Sequence, residues 1–67
     1  MNRHLVAAAL GRLRREHRDV LLACYFRASP VAQAADALGI APGTVKSRTY
    51  YALRALRLAI EELGGVE

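Results

Sequence analysis

The amino-acid sequence predicts an all-α domain of four helices that occupies residues 1–67. The chain is 54% hydrophobic, rich in Ala and Leu, with scarcely a run of β-branched residues, a composition typical of helices. Its apolar residues recur at spacings of three and four, the period of an amphipathic helix. With 67 residues the chain forms one domain at most, and a domain of this size buries only about 60% of the surface of its unfolded form.

The first two predicted helices each combine charged residues with one apolar stripe. The first covers residues 3–12, with Asn2 as its N-cap. The second covers residues 14–26; it begins with the charged run RREHRD and ends with the apolar run VLLACYF, so we expect its start to be exposed and its end to be buried. The carboxylates of Glu16 and Asp19 suit the positive end of its helix dipole. The stripe of the first helix consists of Leu5, Val6, Ala9, Leu10 and Leu13.

The third predicted helix is short and has a clear signal at each end. Ser29 is a good N-cap, and Pro30 fits the first helical position, where its missing N–H costs nothing. The helix is expected to end at Leu38, because Gly39 adopts the left-handed conformation freely.

The fourth predicted helix is the longest and runs from Pro42 to the Gly64-Gly65 pair. Ile40 and Val45 are spaced to pack as a hydrophobic staple at its start. Its core-facing seam follows the helical period and consists of Val45, Thr49, Ala52, Leu56, Ala59 or Ile60, and Leu63.

The spacing of three small residues predicts a helix-turn-helix over about residues 30–62. Ala35 lies four residues before Gly39, and Val45 lies six residues after it. A small residue at position 35 lets the helices cross closely, and Val45 fills the angle between them. The triple is only moderately specific, since two crossed helices without any ligand also satisfy it.

The polar face of the fourth helix favours a nucleic-acid ligand. The net charge is +4 and the pI is about 10, which indicates an anionic partner. Thr44 and the backbone N–H groups of the first turn suit a phosphate. The alternative without a ligand is that the charged side chains of this face are only solvated, with the charge of Arg57 partly neutralised by Glu61. The residues opposite the seam, which fit a major groove, are Lys46, Ser47, Tyr50, Arg54 and Arg57.

Other chemistries lack their motifs. Cys24 is the one cysteine, so no internal disulfide forms, and a reducing cytoplasm fits this usage. His4, His17 and Cys24 lack the spacing of a zinc site, and no acidic pair lies in an apolar setting. The phosphate-loop pattern is not met either. We therefore expect no cofactor, no enzymatic activity and no membrane insertion, since no stretch approaches the ~20 apolar residues of a span.

Two stretches carry a resemblance to a known family. LRREHRDVLLACYF, followed by AADALGIAPGTVKSRTYYALRALR, resembles region 4 of the extracytoplasmic-function sigma factors, bacterial relatives of sigma-70. The likeness covers about residues 5–63. It is most specific at Gly39-Ile40-Ala41 and at residues 43–48, where the family has a GIS-x-GTVKSR-like string before a long helix ending in an ALRxLR-like run.

The resemblance implies a four-helix domain that reads the minus-35 promoter element while docked on the β flap of RNA polymerase core. It also implies an anti-sigma factor as a partner. Because the region that melts the minus-10 element is absent, we expect the chain to be the C-terminal domain of a longer sigma factor. By position, Lys46, Ser47 and Tyr50 match the base-reading set, Thr44 and Arg48 lie near the DNA backbone, and Arg18 matches an arginine of the second helix.

The sequence departs from the family pattern at several positions. Tyr51 stands where the family often has arginine, so one guanine or phosphate contact is replaced by a phenol. Ala41 stands in place of the usual serine cap, a loss of about 1 kcal/mol. Gln33-Ala34-Ala35 replaces the familiar Glu-Ile-Ala, which leaves Arg18 without its carboxylate partner. Arg14 replaces a proline that often opens the second helix.

Two alternative functions stay open. A LuxR-type response-regulator domain shares the TVK string, but it usually dimerises, and Ser47-Arg48 with the Ala-Leu-Arg run argue against it. A protein-interaction module would dock its basic helix on an acidic partner. Leu53 and Leu58 flank the seam, and their exposure would favour such a partner protein.

Overall fold

The computed structural model describes residues 3–64 and confirms an all-α fold of four helices. These are α1 (Arg3–Gly11), α2 (Arg15–Leu21), α3 (Val31–Leu38) and α4 (Pro42–Glu62). The predicted bounds of α1 and the predicted start of α4 hold to within one residue. The Asn2 cap, and Gly65 with the two residues after it, lie outside the described residues.

The predicted second helix keeps its length but changes geometry near its end. α2 continues as one π-helical segment, Leu22–Phe26. The N–H of Arg27 donates to the carbonyl of Leu22 at 2.9 Å, the i to i+5 pattern of a π-helix. Ala28 follows with a φ of 54°, a left-handed conformation that alanine rarely adopts. The widened turn therefore ends in an abrupt change of chain direction before α3.

The predicted start of α3 is wrong by one residue. Pro30 is the N-cap, with a φ of −59° and a ψ of 154°, and no side chain caps this end. Its carbonyl accepts the N–H of Ala34 at 2.9 Å. Ser29 does not cap α3; its own N–H donates to the carbonyl of Ala23 at 3.0 Å, because the π-helical segment extends its hydrogen bonding to this residue.

The turn between α3 and α4 forms as predicted around Gly39. Gly39 has a φ of 70°, and its N–H donates to the carbonyl of Asp36 at 3.3 Å. The next N–H, of Ile40, donates to the carbonyl of Ala35 at 3.0 Å. These two bonds define a Schellman motif. Ala41 then caps α4 without a side-chain hydrogen bond, and Pro42 lies at its first turn.

The core lies where α4 packs against the other three helices. Within residues 3–64, six of the twelve buried hydrophobic residues are alanines, so the helix backbones approach closely. The largest fully buried side chains are Leu21, Val20 and Val45. Val45 is thus buried at the helix-turn-helix crossing, as predicted, and this packing fixes which face of α4 is turned outward.

Candidate nucleic-acid interface

The inner face of α4 confirms the predicted seam. Val45, Ala52, Ala59 and Ile60 are buried, and Thr49, Leu56 and Leu63 are half-buried. Because both ends of this seam are in the core, α4 cannot rotate about its axis without exposing buried side chains. The residues on the opposite side are therefore held outward along most of the helix.

The outer face of α4, defined here as Lys46, Ser47, Tyr50 and Arg54, is exposed to solvent. The Ser47 hydroxyl donates to the carbonyl of Thr44 at 3.3 Å. The Arg54 guanidinium carbon lies 5.8 Å from the centre of the Tyr50 ring, and its Nη1 donates to the Tyr50 Oη at 3.5 Å. The face thus presents hydroxyl, ammonium and guanidinium donors around one aromatic ring.

The first turn of α4 has fewer unpaired backbone donors than the sequence suggested. Pro42 has no N–H, and the N–H groups of Thr44 and Val45 both donate to the carbonyl of Ala41, at 3.0 and 3.1 Å. Within residues 3–64, the N–H of Gly43 is the one first-turn donor that no backbone carbonyl accepts. The N-terminal end of α4 therefore offers an anion one backbone N–H, that of Gly43, and the half-buried side chain of Thr44.

Arg48 differs from the outer face in its surroundings. It is half-buried and lines a small depression with Glu16 and Asp19 of α2. The pKa of the Glu16 carboxyl is lowered from its usual 4.5 by hydrogen bonding to its own backbone N–H and, against an opposing effect of burial, by the charges of Arg14, Arg48 and His17. Arg48 therefore lies beside acidic groups that compete with a phosphate for its charge.

Arg18 and Arg57 differ in their ion pairing. Arg18 is half-buried on α2, and within the described part of the chain it makes no ion pair. Arg57 lies on the exposed side of α4, where its Nε is 3.1 Å from Glu61 Oε2. The predicted Arg57–Glu61 pair is confirmed; because the Arg57 side chain is 80% exposed, the pair offsets its charge only in part.

Tyr51 lies between two surfaces. Its ring contacts that of Tyr50 edge to face, with centroids 5.1 Å apart and planes at 86°. On its other side it lines a groove between the α1–α2 connection and α4. The sequence did not predict this groove, although it did suggest that Leu58, which is 59% exposed, remains accessible. Its lining comprises Arg12, Leu13, Arg14, His17, Tyr51, Ala55, Leu58, Ala59 and Glu62.

Cys24 belongs to the packing around the core, and the titratable groups of the described residues form no metal site. Cys24 is half-buried and packs against the core, with its Sγ 3.9 Å from Thr49 Oγ1. Among residues 3–64, no group of three His, Cys, Asp or Glu side chains is arranged to hold a metal ion. None of the helices in that range is long and apolar enough to cross a bilayer.

Comparisons with known proteins point to one family. The family described as "Sigma-70, region 4" matches residues 9–58. The proteins named ECF RNA polymerase sigma factor SigL in the Erdman, CDC 1551 and H37Rv strains of Mycobacterium tuberculosis are each 55% identical to this chain over 64 residues. That region covers 96% of this chain and 36% of each relative, so the chain spans about a third of the length of these proteins.

Proposed function

Because this chain belongs to the sigma-70 region 4 family, we propose that α4 reads the minus-35 element of a promoter in the major groove. It would do so as part of an RNA polymerase holoenzyme that initiates transcription in the bacterial cytoplasm. The observation that carries the proposal is the outer face of α4. Its donors are exposed along a helix whose opposite side is buried in the core.

The size and chemistry of the outer face support entry into a major groove. An α-helix with its side chains is about 10–12 Å wide, close to the ~12 Å width of the groove. The Lys46 ammonium can donate to guanine O6 and N7, and the Ser47 hydroxyl can donate or accept at base edges. Arg54 lies two turns further along, on the same side as Tyr50, and adds a second cation.

Exchange of Lys46 tests the proposal against a charge-matched control. We expect Lys46→Ala to weaken binding to a minus-35 duplex of the family type by about tenfold, and to have a smaller effect on binding to a scrambled duplex. Arg57→Ala removes the same charge from the same helix, but this charge is paired with Glu61, so we expect a change below about twofold. Fluorescence anisotropy at several salt concentrations measures both.

The salt dependence separates base contacts from phosphate contacts. For the unaltered chain, log K should fall with log salt by about 0.9 for each phosphate neutralised. If Lys46→Ala and Arg57→Ala weaken both duplexes equally, α4 contributes only nonspecific charge. If neither variant has an effect, DNA is not the ligand of this face, and the protein-interaction alternative replaces the proposal.

The groove beside Tyr51 suits the protein partners that the family resemblance implies. Its floor is apolar at Leu13, Ala55 and Leu58, and Leu58 is largely exposed. Basic side chains lie along its rim; one of them, Arg12, is 3.4 Å from Glu62. We propose that the β flap of RNA polymerase core docks on this side, and that an anti-sigma factor competes for it.

A further inference from the structure

The two adjacent tyrosines of α4 form an apolar surface within a basic helix face. Tyr50 and Tyr51 are 57% and 59% exposed. Successive residues on a helix point about 100° apart, yet these rings meet edge to face at 5.1 Å. The contact braces each ring against the other and leaves more than half of each accessible.

The two rings differ in what already contacts them. The guanidinium of Arg54 lies over one face of the Tyr50 ring and donates to its hydroxyl. Within the described residues, Tyr51 has the Tyr50 ring as its aromatic partner and no side-chain hydrogen bond. Tyr51 therefore lacks the cation contact that Tyr50 has, remains 59% exposed to a ligand, and is held in its orientation by Tyr50.

The chemistry of a phenol restricts what Tyr51 can read in a major groove. A guanidinium donates two parallel hydrogen bonds to guanine O6 and N7, whereas a phenol has one hydroxyl and cannot form that pair. An aromatic ring instead makes apolar contact with the 5-methyl group of thymine, the one apolar group that a base pair presents in this groove. Burial of a methyl group against the ring excludes water from both.

We propose that Tyr51, braced by Tyr50, reads the 5-methyl group of a thymine in the bound element. The inference rests on the proposed function, because it requires α4 to lie in the major groove. It makes Tyr51 a specificity-determining residue that selects thymine over cytosine by its methyl group, at a position where a basic side chain would select guanine.

Replacement of thymine by uracil removes this methyl group alone and so tests the inference. The preferred duplex is first selected from a pool randomised over the element, using the full chain. Each thymine of that duplex is then replaced by uracil in turn. We expect one replacement to weaken binding of the unaltered chain about fourfold, the factor that corresponds to one buried methyl group.

Three variants assign that loss to Tyr51. Tyr51→Phe should keep the fourfold preference for thymine, and Tyr51→Ala should bind the thymine and uracil duplexes equally. Phe26→Ala, which removes a ring that is 63% exposed outside α4, should keep the preference. Circular dichroism checks that each variant keeps its helix content.

The possible failures are distinguishable. If uracil has no effect at any position, or if Tyr51→Ala keeps the preference, Tyr51 does not read a methyl group. If Tyr51→Phe alone loses affinity while uracil has no effect, the hydroxyl contacts a phosphate and the inference is wrong. If selection yields no preferred duplex, the proposed function itself fails, and the inference fails with it.

Discussion

At the scale of single residues, Ala28 is the least expected feature of the chain. Its φ of 54° places an L-residue in the left-handed region, at a cost of roughly 1–2 kcal/mol. The residue is exposed, so packing of its methyl group does not explain the conformation. The cause is the preceding π-helical segment. The N–H groups of Arg27 and Ser29 donate to the carbonyls of Leu22 and Ala23, and these hydrogen bonds force the chain to turn at this point.

We expect Ala28→Gly to stabilise the fold by about 0.5–1 kcal/mol. Glycine removes the free-energy cost of the left-handed conformation. The larger conformational entropy of glycine in the unfolded chain offsets part of this gain. Ala8→Gly is the matched control, because Ala8 is exposed in the middle of α1, where the same change should destabilise by about 0.5–1 kcal/mol. Urea unfolding measures both. Equal losses in the two variants would contradict the strain assigned to Ala28.

At the scale of helices and turns, the connection between α3 and α4 sets the direction of the outer face. Gly39 bends the chain by its left-handed conformation and the Schellman bonds, and Val45 is buried where the helices cross. Gly43, four residues further on, lies inside α4 and needs no special conformation. The two glycines therefore have opposite roles in stability.

Exchange of each glycine for alanine should give opposite results. Gly39→Ala should destabilise by about 1 kcal/mol, because its φ of 70° is strained for alanine. Gly43→Ala should stabilise by about 0.5 kcal/mol, since alanine is the better helix former and a methyl group there meets no atom within 4 Å. Thermal unfolding followed by circular dichroism tests the pair. Two changes of the same sign would refute this description of the turn.

The elements also show how far the sequence could predict the structure. Periodicity and the Gly39 and Pro42 signals gave helix bounds within one residue, because each rests on local conformational preference. The π-helical segment has no such signal in VLLACYF, and it displaced Ser29 from its expected cap. The groove beside Tyr51 and the setting of Arg48 depend on how α2 and α4 pack, which local patterns do not report.

At the scale of the whole molecule, two sides of α4 serve different proposed partners. The outer face is polar and basic, whereas the groove lined by Leu13, Ala55 and Leu58 is apolar. Leu53 is also exposed, at 41%, but it is not among the residues that line the groove. The proposed function therefore assigns DNA to the outer face and protein partners to the groove, in a chain that spans 36% of its relatives' length.

Substitution of the two leucines should separate these surfaces. We expect Leu58→Asp to weaken binding to RNA polymerase core by tenfold or more, because about 2 kcal/mol of apolar contact is lost, while DNA affinity changes no more than it does in Leu53→Asp, which adds the same charge to α4. Leu53→Asp introduces the same charge outside the groove and should leave polymerase binding within about twofold. Surface plasmon resonance with immobilised core enzyme gives both values. Equal losses for the two variants would remove the groove from the proposed interface.

The most direct test of the central claim is an amide chemical-shift titration of the labelled chain. The ligands are a minus-35 duplex of the family type and a scrambled duplex, each at two salt concentrations. The account predicts shifts concentrated in residues 43–54, larger for the promoter duplex and reduced but still selective at high salt. Equal, salt-sensitive shifts with both duplexes, or shifts centred on the groove around Leu58, would contradict sequence reading by α4.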